Sequence, residues 1–398
     1  MWKLCIKRVS LISCKSSSPC GAKLPFKAEI FSKGAPILEP VILVINPGST
    51  STRSSLYRGA ELIAEEHLIC APADLEKCEK IIDQAQFRTQ SIVDFLDKNN
   101  KSVADLDAIA ARGGPLRPIP GGVYAVNQQM LEDAQSENFV EHVSKLACVI
   151  ADNLAKQANI PAFIADAVST DEYAPISRIS GLKELPRKSL THALNMKHVS
   201  REYAKTIGKS YESLNLITAH LGGGISIAVH NQGKMVDSVD ANGDGPFSPE
   251  RAGLLRSSDL AKFVAQKGLT TAETRKMLTK QGGVFSHTGS TDVKEMIDKA
   301  QAGDEHCDLI ANALAYNIAK SISSLAVAVN GQLDGIILTG GIANSPILTK
   351  WIADRVKFLA PVEIIAGQME MEALRDAAIR VLADQEKPRV YPTGEFIN

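Results

Sequence analysis

Two predicted strands stand directly before polar turns that are rich in glycine and hydroxyl side chains. Val41–Ile45 is a continuous apolar run, and the turn 46–52 follows it. Leu214–His220 is the second predicted strand, and it leads into the glycine turn 221–226. An apolar run without alternation is typical of a strand that is buried on both faces of its sheet. The repeat predicts two related halves, each an α/β domain, with a cleft between them.

The remaining pattern alternates between short strands and longer helical stretches. Further strands are predicted at 53–57, 108–111, 161–164, 227–230 and 335–338, and helices within 76–98, 127–157 and 371–382. The first domain is predicted at 41–195, joined by the C-terminal segment 375–398, and the second, on the nucleotide side, at 196–374.

Composition narrows the class of protein without identifying it. The 398 residues suit two domains, and the net charge of -1 does not indicate a nucleic acid or an acidic membrane as the main partner. No apolar run approaches the roughly 20 residues that a membrane span needs. The seven cysteines show no zinc-site spacing and indicate reduced thiols, which predicts a cytoplasmic protein.

Residues 1–40 differ from the rest of the chain. They are basic and rich in serine, and they contain no acidic residue before Glu29. This composition is typical of an organelle transit peptide. A poorly ordered extension or a start assigned upstream of the true one is the favoured interpretation, and the sequence leaves the transit peptide open as the alternative.

The first turn carries groups that can hold a phosphate. Gly48 lets backbone N–H groups approach an anion without a Cβ in the way. Ser49 and Ser51 add hydroxyl donors, and Arg53 adds a planar positive fork. An ordinary hairpin turn is the alternative interpretation of this segment.

Two later turns offer glycines in the same position after a strand. Consecutive glycines cost backbone entropy, so they indicate a tight turn or the close approach of a ligand. Three such turns together favour a nucleotide site, although neither the P-loop pattern nor G-x-G-x-x-G occurs. The residues are Gly222, Gly223 and Gly224 after His220, and Gly340 and Gly341 before Ile342 and Asn344.

Six segments resemble the acetate/butyrate kinase family of the sugar kinase–Hsp70–actin superfamily. They occur in the family's order between residue 41 and about residue 385, and Pro47 and SPER resemble its butyrate branch. The resemblance implies two duplicated ribonuclease H-like domains that flank an active-site cleft. It also implies transfer of the γ-phosphoryl group of ATP to a short-chain carboxylate with Mg²⁺, by a homo-oligomer. The segments are VINPGSTSTR (44–53), ARGGPLRPIPGGVYAVN (111–127), THALNMK (191–197), AHLGGGIS (219–226), DGPFSPERAG (244–253) and LTGGIANS (338–345).

The same resemblance implies roles for individual residues. A carboxylate acceptor is already ionised, so the protein must bring two anions together and needs no general base. Arg112 and Arg251 would bind the carboxylate and the transferring phosphoryl group, although surface salt bridges are their alternative interpretation. The implied catalytic residues are Asp166, Arg251, His192 and Arg112, and the implied magnesium residues are Asn46, Asp166 and Glu372, with Glu370 as the alternative to Glu372.

The nucleotide is expected at the three turns and at one further segment. Lys294 replaces a more usual arginine there, which removes a planar group for stacking. The expected nucleotide-binding residues are Asn46, Gly48, Ser49, Ser51, Arg53, His220, Gly222, Gly223, Gly224, Asp292, Lys294, Gly340, Gly341, Ile342 and Asn344. The other histidines match no family motif and are interpreted as structural: His67, His142, His198, His230, His287 and His306.

Three alternatives remain open from the sequence. The acid could be acetate, propionate or a branched carboxylate, because one methylene is worth only about 1–3 kcal/mol of discrimination. A non-catalytic ATPase switch of the actin or Hsp70 kind would bind ATP without a carboxylate. A sugar kinase would need a base that faces a hydroxyl group, and Asp166 could serve.

Overall fold

The computed structural model describes residues 39–139 and 142–397. The extension predicted at 1–40, with its targeting interpretation, therefore lies almost wholly outside the described residues. The strands are β1 (Val41–Pro47), β2 (Ser51–Arg58), β3 (Glu61–Ile69), β4 (Ala108–Arg112), β5 (Val123–Ala125), β6 (Ala162–Ala165), β7 (Asn215–Leu221), β8 (Ile225–Asn231), β9 (Lys234–Asp240), β10 (Gly335–Gly340) and β11 (Val362–Ala366). The α-helices are α1 (Pro72–Glu76), α2 (Ala85–Lys98), α3 (Gln128–Gln135), α4 (Leu146–Ala158), α5 (Ala193–Thr206), α6 (Ser257–Lys267), α7 (Thr271–Lys280), α8 (Gly283–Thr288), α9 (Val293–Gln301), α10 (Glu305–Leu325), α11 (Pro346–Val356) and α12 (Glu370–Leu382).

The strands form two sheets that repeat one topology. The first sheet has the order β3-β2-β1-β4-β6-β5, and the second has the order β11-β10-β7-β8-β9. In each sheet an antiparallel three-stranded meander comes first, and two later strands add in parallel beside its first strand. This repeat confirms the prediction of two duplicated, ribonuclease H-like α/β halves.

The continuous apolar run of β1 is explained by helices on both faces of the first sheet. Leu43 and Ile45 pack with residues of α2 and α4, whereas Ile42 and Val44 pack with residues of α12. All four side chains are fully buried. Each contributes about 1.5–3 kcal/mol of hydrophobic stabilisation. The second sheet is covered in the same way by α10 and α11 on one face and α5 on the other.

The strands that the sequence pattern does not predict are all edge strands. β3 and β5 end the first sheet, and β11 and β9 end the second. An edge strand has one neighbour, and β3, β9 and β11 are partly exposed and lack a continuous apolar run. β3 shows this most clearly, because most of its side chains are exposed. β5 is buried, but its three residues are too few to predict a strand.

The long helical stretch predicted at 127–157 is two separate helices. The Asn127 side chain accepts a hydrogen bond from the Met130 N–H at 3.0 Å and caps α3. The helix ends where Ser136 takes extended backbone, and α4 begins at Leu146. In the stretch predicted to be helical at 76–98, the long helix α2 begins only at Ala85.

Two helices join the halves of the molecule. The boundaries predicted at 195/196 and 374/375 fall inside α5 and α12. Met371 and Leu374, near the start of α12, are fully buried against the first sheet. α5 contacts both α12 and the strands β7 and β10 of the second sheet. In the described part of the chain, no helix has the length and apolar character needed to cross a bilayer.

Candidate active site

Asn46, Arg112 and Glu370 meet where neighbouring strands of the first sheet end. Asn46 lies at the end of β1, Arg112 ends the parallel strand β4, and Glu370 begins α12. Asn46 Nδ2 donates to Glu370 Oε2 at 2.7 Å, and Arg112 Nη2 lies 3.3 Å from Glu370 Oε1. Arg112 Nη1 also donates to Asn46 Oδ1 at 3.4 Å. The cluster combines oxygen ligands of the kind that Mg²⁺ prefers with a guanidinium that can bind an anion.

The acid in this cluster is Glu370 and not Glu372, the residue that the resemblance implies. Two residues along a helix are separated by about 200°, so the two carboxylates point to different sides of α12. Glu372 instead lies near Arg53 and Tyr57. Burial and the charge of Glu372 raise the pKa of Tyr57. The metal role of Glu372 therefore stays a prediction, and Glu370 has the contacts expected of it.

Asp166 is buried behind the carboxyl end of β6. Its Oδ1 accepts from the Gly122 N–H at 2.8 Å, and its Oδ2 accepts from Arg201 Nη1 at 3.3 Å. Burial opposes ionisation, but Arg201, Lys197 and the Gly122 N–H together hold the pKa of Asp166 below its ordinary value. Asp166 has a positive φ of 38°, which L residues seldom adopt. The carboxylate is thus ionised and already bound, and within the described residues its hydrogen bonds and its ion pair do not involve Asn46 or Arg112.

The first phosphate turn is held from beneath by the buried Arg88. Its Nη1 donates to the carbonyl oxygens of Gly48 and Ser51, each at 3.0 Å, and to Thr52 Oγ1 at 2.9 Å. Its Nη2 donates to the carbonyl oxygen of Ser49 at 3.1 Å. The turn itself is closed by the Gly48 N–H, which donates to the Ser51 carbonyl at 2.8 Å. Within the described residues, Arg88 forms no ion pair with a carboxylate, so a buried positive charge lies directly under the turn.

The predicted phosphate ligands of this turn differ in their surroundings. Ser49 is exposed at the tip, and Ser51 is half-buried. Arg53 Nη2 donates to Glu65 Oε1 at 2.8 Å across the β2–β3 pair. One nitrogen of the Arg53 fork is therefore paired with a neighbouring carboxylate, and its buried Nε has no partner within the described residues.

His192 and His220 form a stacked pair in the cleft. Their ring centroids lie 3.9 Å apart with the planes inclined by 9°. Burial is the main cause that lowers the pKa of both rings, to about 4 for His220 and well below the ordinary value for His192; Arg112 adds to both. Both rings are thus uncharged at neutral pH, so they can offer N–H donors but no positive charge.

Asn195 fixes the orientation of His220. Its Oδ1 accepts from the Met369 N–H at 2.9 Å, so its Nδ2 is the atom that faces His220 Nδ1 at 3.0 Å and Thr339 Oγ1 at 3.1 Å. His220 Nδ1 is therefore an acceptor, and the ring proton is on Nε2. His220 Nε2 is buried and has no partner within the described residues. It lies at the glycine turn, 3.3 Å from where a Cβ on Gly222 would stand.

Arg251 lies against the second phosphate turn. A Cβ on Gly224 would stand 2.5 Å from Arg251 Nη1, so glycine is required there for the guanidinium to approach. Ser248 Oγ donates to the Gly223 carbonyl at 2.8 Å and ties the SPERAG segment to the turn. In the part of the chain that the structure describes, the Arg251 guanidinium has no carboxylate partner and is available for an anion.

A cavity of about 790 Å³ opens beside the second and third turns. Its volume is that of a typical small-ligand site. Gly340 has a φ of 91°, and a Cβ there would lie 2.3 Å from the Leu221 carbonyl oxygen. The predicted nucleotide residues that line the cavity are Gly222, Gly223, Asp292, Lys294, Gly341, Ile342 and Asn344.

Asp292 and Lys294 both have local partners at this cavity. Asp292 Oδ1 caps α9 by accepting from the Lys294 N–H at 2.8 Å and the Glu295 N–H at 3.1 Å. Lys294 Nζ lies 2.5 Å from Asp298 Oδ2 on the helix surface. The two side chains thus border the cavity without projecting an unpaired charge into it.

His142 is a cleft residue that no sequence motif marks. It lines a second cavity of about 660 Å³, with Lys145 on the same half and Arg275 of α7 on the other. Burial, with a smaller effect of Arg112, lowers the pKa of His142. Its expected role is structural, but its position places a further uncharged imidazole near Arg112.

Comparison with known proteins identifies the family. The acetokinase family model matches residues 175–376. A probable butyrate kinase from Clostridium botulinum is 44% identical over 351 residues, which are 88% of this chain and 99% of that protein. Butyrate kinase 1 from Clostridium acetobutylicum gives the same identity and coverage. The chain belongs to the acetokinase family.

Solved structures of acetokinases have the same fold. A propionate kinase from Francisella tularensis matches with a TM-score of 0.67 and 20% identity, over 85% of this chain and 98% of that one. An acetate kinase from Porphyromonas gingivalis matches with a TM-score of 0.68 and 17% identity, over 86% and 99%. Acetokinases phosphorylate a carboxylate with ATP, so the resemblance seen in the sequence is confirmed and this chain is an enzyme of that class.

Proposed function

We propose that the protein transfers the γ-phosphoryl group of ATP to butyrate, giving butyryl phosphate and ADP in a reversible reaction. The observation that carries the choice of acid is the 44% identity to butyrate kinases over nearly their whole length. Butyrate kinase 2 from Clostridium acetobutylicum, at 41% identity, supports the same choice.

The reaction requires two anions to approach each other. A carboxylate oxygen attacks the γ-phosphorus, the bond to the β,γ-bridging oxygen breaks, and ADP leaves with that electron pair. The acceptor is ionised at neutral pH, so no base has to remove a proton. In this proposal Arg251 binds the transferring phosphoryl group over Gly224, and Arg112 binds the carboxylate.

The stacked histidines supply hydrogen-bond donors to the same region. His220 carries its proton on Nε2, which is buried and has no partner in the described residues. A buried N–H without a partner is costly, so a bound phosphate oxygen would satisfy it. His192 lies against His220, and its Nδ1 is 2.8 Å from Ser226 Oγ. We assign to the pair the binding of phosphate oxygens by uncharged N–H donors.

Asn46 and Glu370 fit a magnesium ion by the chemistry of their donors. The Asn46 side-chain amide and the Glu370 carboxylate lie together at the end of β1 and the start of α12, and Asn46 Nδ2 donates to Glu370 Oε2. When bound, Mg²⁺ would reduce the negative charge of the ATP phosphates. Asp166 stays a predicted catalytic and metal residue, although using it would require its carboxylate to release Arg201 or share it.

The nucleotide occupies the cavity at the second and third turns in this proposal. The first turn, above Arg88, would bind the terminal phosphates with Gly48, Ser49 and Ser51. We further propose that the first domain includes all of α12, that the second begins with α5, and that the protein is a homo-oligomer. A cytoplasmic location, or an organelle if the basic extension is a targeting signal, completes the proposal.

Trapping the acyl phosphate tests the proposed reaction. The protein is incubated with ATP, Mg²⁺, hydroxylamine and one acid from acetate to valerate or isobutyrate, and the hydroxamate is measured. We expect hydroxamate with the highest kcat/KM for butyrate. A higher kcat/KM for another acid would make that acid the proposed substrate instead of butyrate. ATP hydrolysis without any hydroxamate would favour the ATPase switch. Phosphorylation of a sugar in place of an acid would favour a sugar kinase.

A further inference from the structure

A second cluster of ligand-type side chains lies between α5 and α12, outside the active site. It consists of His198 and Glu202 on α5 and Asp376 on α12, and one ligand atom from each falls within 4.8 Å of the others. His198 and Glu202 are four residues apart, so they share one face of their helix. Asp376 comes from the facing helix, so the three groups converge from two elements.

The imidazole ring of His198 faces this cluster without a hydrogen-bond partner among the described residues. The ring is buried, and its Nδ1 points at Asp376 Oδ2 from 3.7 Å, which is too long for a hydrogen bond. Within the described residues, no hydrogen bond to either ring nitrogen is found. A buried imidazole that faces carboxylate oxygens at this distance without a hydrogen-bond partner is the arrangement that a bound cation would satisfy.

Basic side chains near the cluster pair with one oxygen of each carboxylate and leave the Asp376 oxygen nearest His198 outside those pairs. Lys205 binds one oxygen of Glu202 at 2.6 Å, and Arg375 binds Asp376 Oδ1 at 2.7 Å. Asp376 Oδ2, the oxygen nearest His198, is not part of that second pair. Both acids are partly exposed, which gives an ion a path from solvent.

We propose that His198, Glu202 and Asp376 form a binding site for a transition-metal dication of the zinc class. One imidazole and two carboxylates, with water in a remaining position, suit Zn²⁺, Co²⁺ or Mn²⁺ better than Mg²⁺, which prefers oxygen ligands. The site is separate from the magnesium residues of the proposed reaction.

The position of the site gives it a consequence for the enzyme. α5 begins beside His192, and α12 begins with Glu370. His198 and Asp376 each lie six residues further along, or about 9 Å at the rise of an α-helix. An ion held there ties together the two helices that place His192 and Glu370 and that join the two halves.

Metal titration of the full chain tests the proposal. The protein is stripped with a chelator, Mg²⁺ is added in excess, and Zn²⁺ binding is measured by calorimetry without nucleotide. Co²⁺ is added in parallel, and its visible absorption reports the coordination number and geometry of the bound ion. We expect one Zn²⁺ per chain and a Co²⁺ spectrum of low coordination number. His198→Gln and Asp376→Asn should each weaken Zn²⁺ binding by about tenfold or more. Removing a residue that only hydrogen-bonds a metal ligand already weakens metal binding by about that much, and removing the ligand itself should have at least the same effect.

His306→Gln is the matched control, because His306 is exposed and lies outside the cluster. It should bind both metals as the unaltered protein does. Asp376→Asn keeps the proposal testable if His198→Gln does not fold, as judged by circular dichroism. Equal Zn²⁺ affinity in a folded variant and the unaltered protein, or no binding at all, would overturn the site.

Discussion

The imidazole rings of His192 and His220 stack at 3.9 Å in the cleft between two duplicated α/β halves. His192 precedes α5, and His220 is near the end of β7, so the contact brings together the THALN and AHLGGGIS segments. The pair stays uncharged because both rings are buried and Arg112 is near. In the proposed reaction, positive charge in the cleft therefore comes from arginine, and the histidines act as hydrogen-bond donors.

The buried histidines predict loss of stability in acid. The pKa of His220 is lowered to about 4, so the unfolded chain binds more protons than the folded one between about pH 6.5 and pH 4. Stability is thus fully present above pH 6.5 and falls through this window, by about 3 kcal/mol for His220 at about 1.4 kcal/mol per pKa unit. Urea unfolding at several pH values should show a shallower fall for His220→Gln. The exposed His67→Gln should retain the slope of the unaltered protein, and an unchanged slope for His220→Gln would contradict the assignment.

Much of this fold is predictable from the sequence because the central strands are buried on both faces. The run at β1 is continuous and β7 is largely apolar for that reason, and the glycine turns after them mark the cleft. The edge strands β3, β9 and β11 are missed because they are partly exposed, and β5 is missed because it is buried but only three residues long. The direction of a side chain is the other feature that the sequence does not give. Glu370 and Glu372 are both glutamates near the start of α12, and only their positions around the helix show that Glu370 faces Asn46 and Arg112. Arg88 looks like a surface residue in a helical stretch, and the carbonyl groups it binds become visible only in three dimensions.

Magnesium dependence should distinguish Glu370 from Glu372, the two acids in the first turn of α12. Glu370→Gln removes a carboxylate that contacts Asn46 and Arg112, so the Mg²⁺ concentration needed for half-maximal activity should rise at least about tenfold, the scale of losing a supporting metal contact. Glu372→Gln should keep a magnesium dependence close to that of the unaltered protein. Initial rates at fixed free ATP over a range of Mg²⁺ measure both. The reverse ranking of the variants would restore Glu372 as the metal residue.

Arg88 should affect ATP binding without touching the nucleotide. Arg88→Met leaves the carbonyl oxygens of Gly48 and Ser49 without this donor, and leaves the Ser51 carbonyl with the Gly48 N–H alone. We therefore expect a loss of about 2 kcal/mol or more of unfolding free energy. We also expect KM for ATP to rise more than kcat falls, because the first turn loses its shape and the charge beneath it. Arg88→Lys, which keeps the charge but not the fork, should recover stability only in part. A KM for ATP that stays unchanged in a folded Arg88→Met protein would limit Arg88 to a structural role.

Arg251 should be needed for turnover and dispensable for folding. Its guanidinium lies over Gly224 and has no carboxylate partner in the described residues, so its removal breaks no ion pair of the free protein. Arg251→Ala should lower kcat on the order of 10²-fold or more, the scale of losing one group that stabilises developing charge, while Tm changes little. Arg256→Ala, an exposed arginine five residues later, is the matched control. Gly224→Ala tests the same contact from the other side, because its Cβ would stand 2.5 Å from Arg251 Nη1. Full activity in both Arg251→Ala and Gly224→Ala would remove Arg251 from the reaction, whereas loss in both with an unchanged Tm supports its contact with the transferring phosphoryl group.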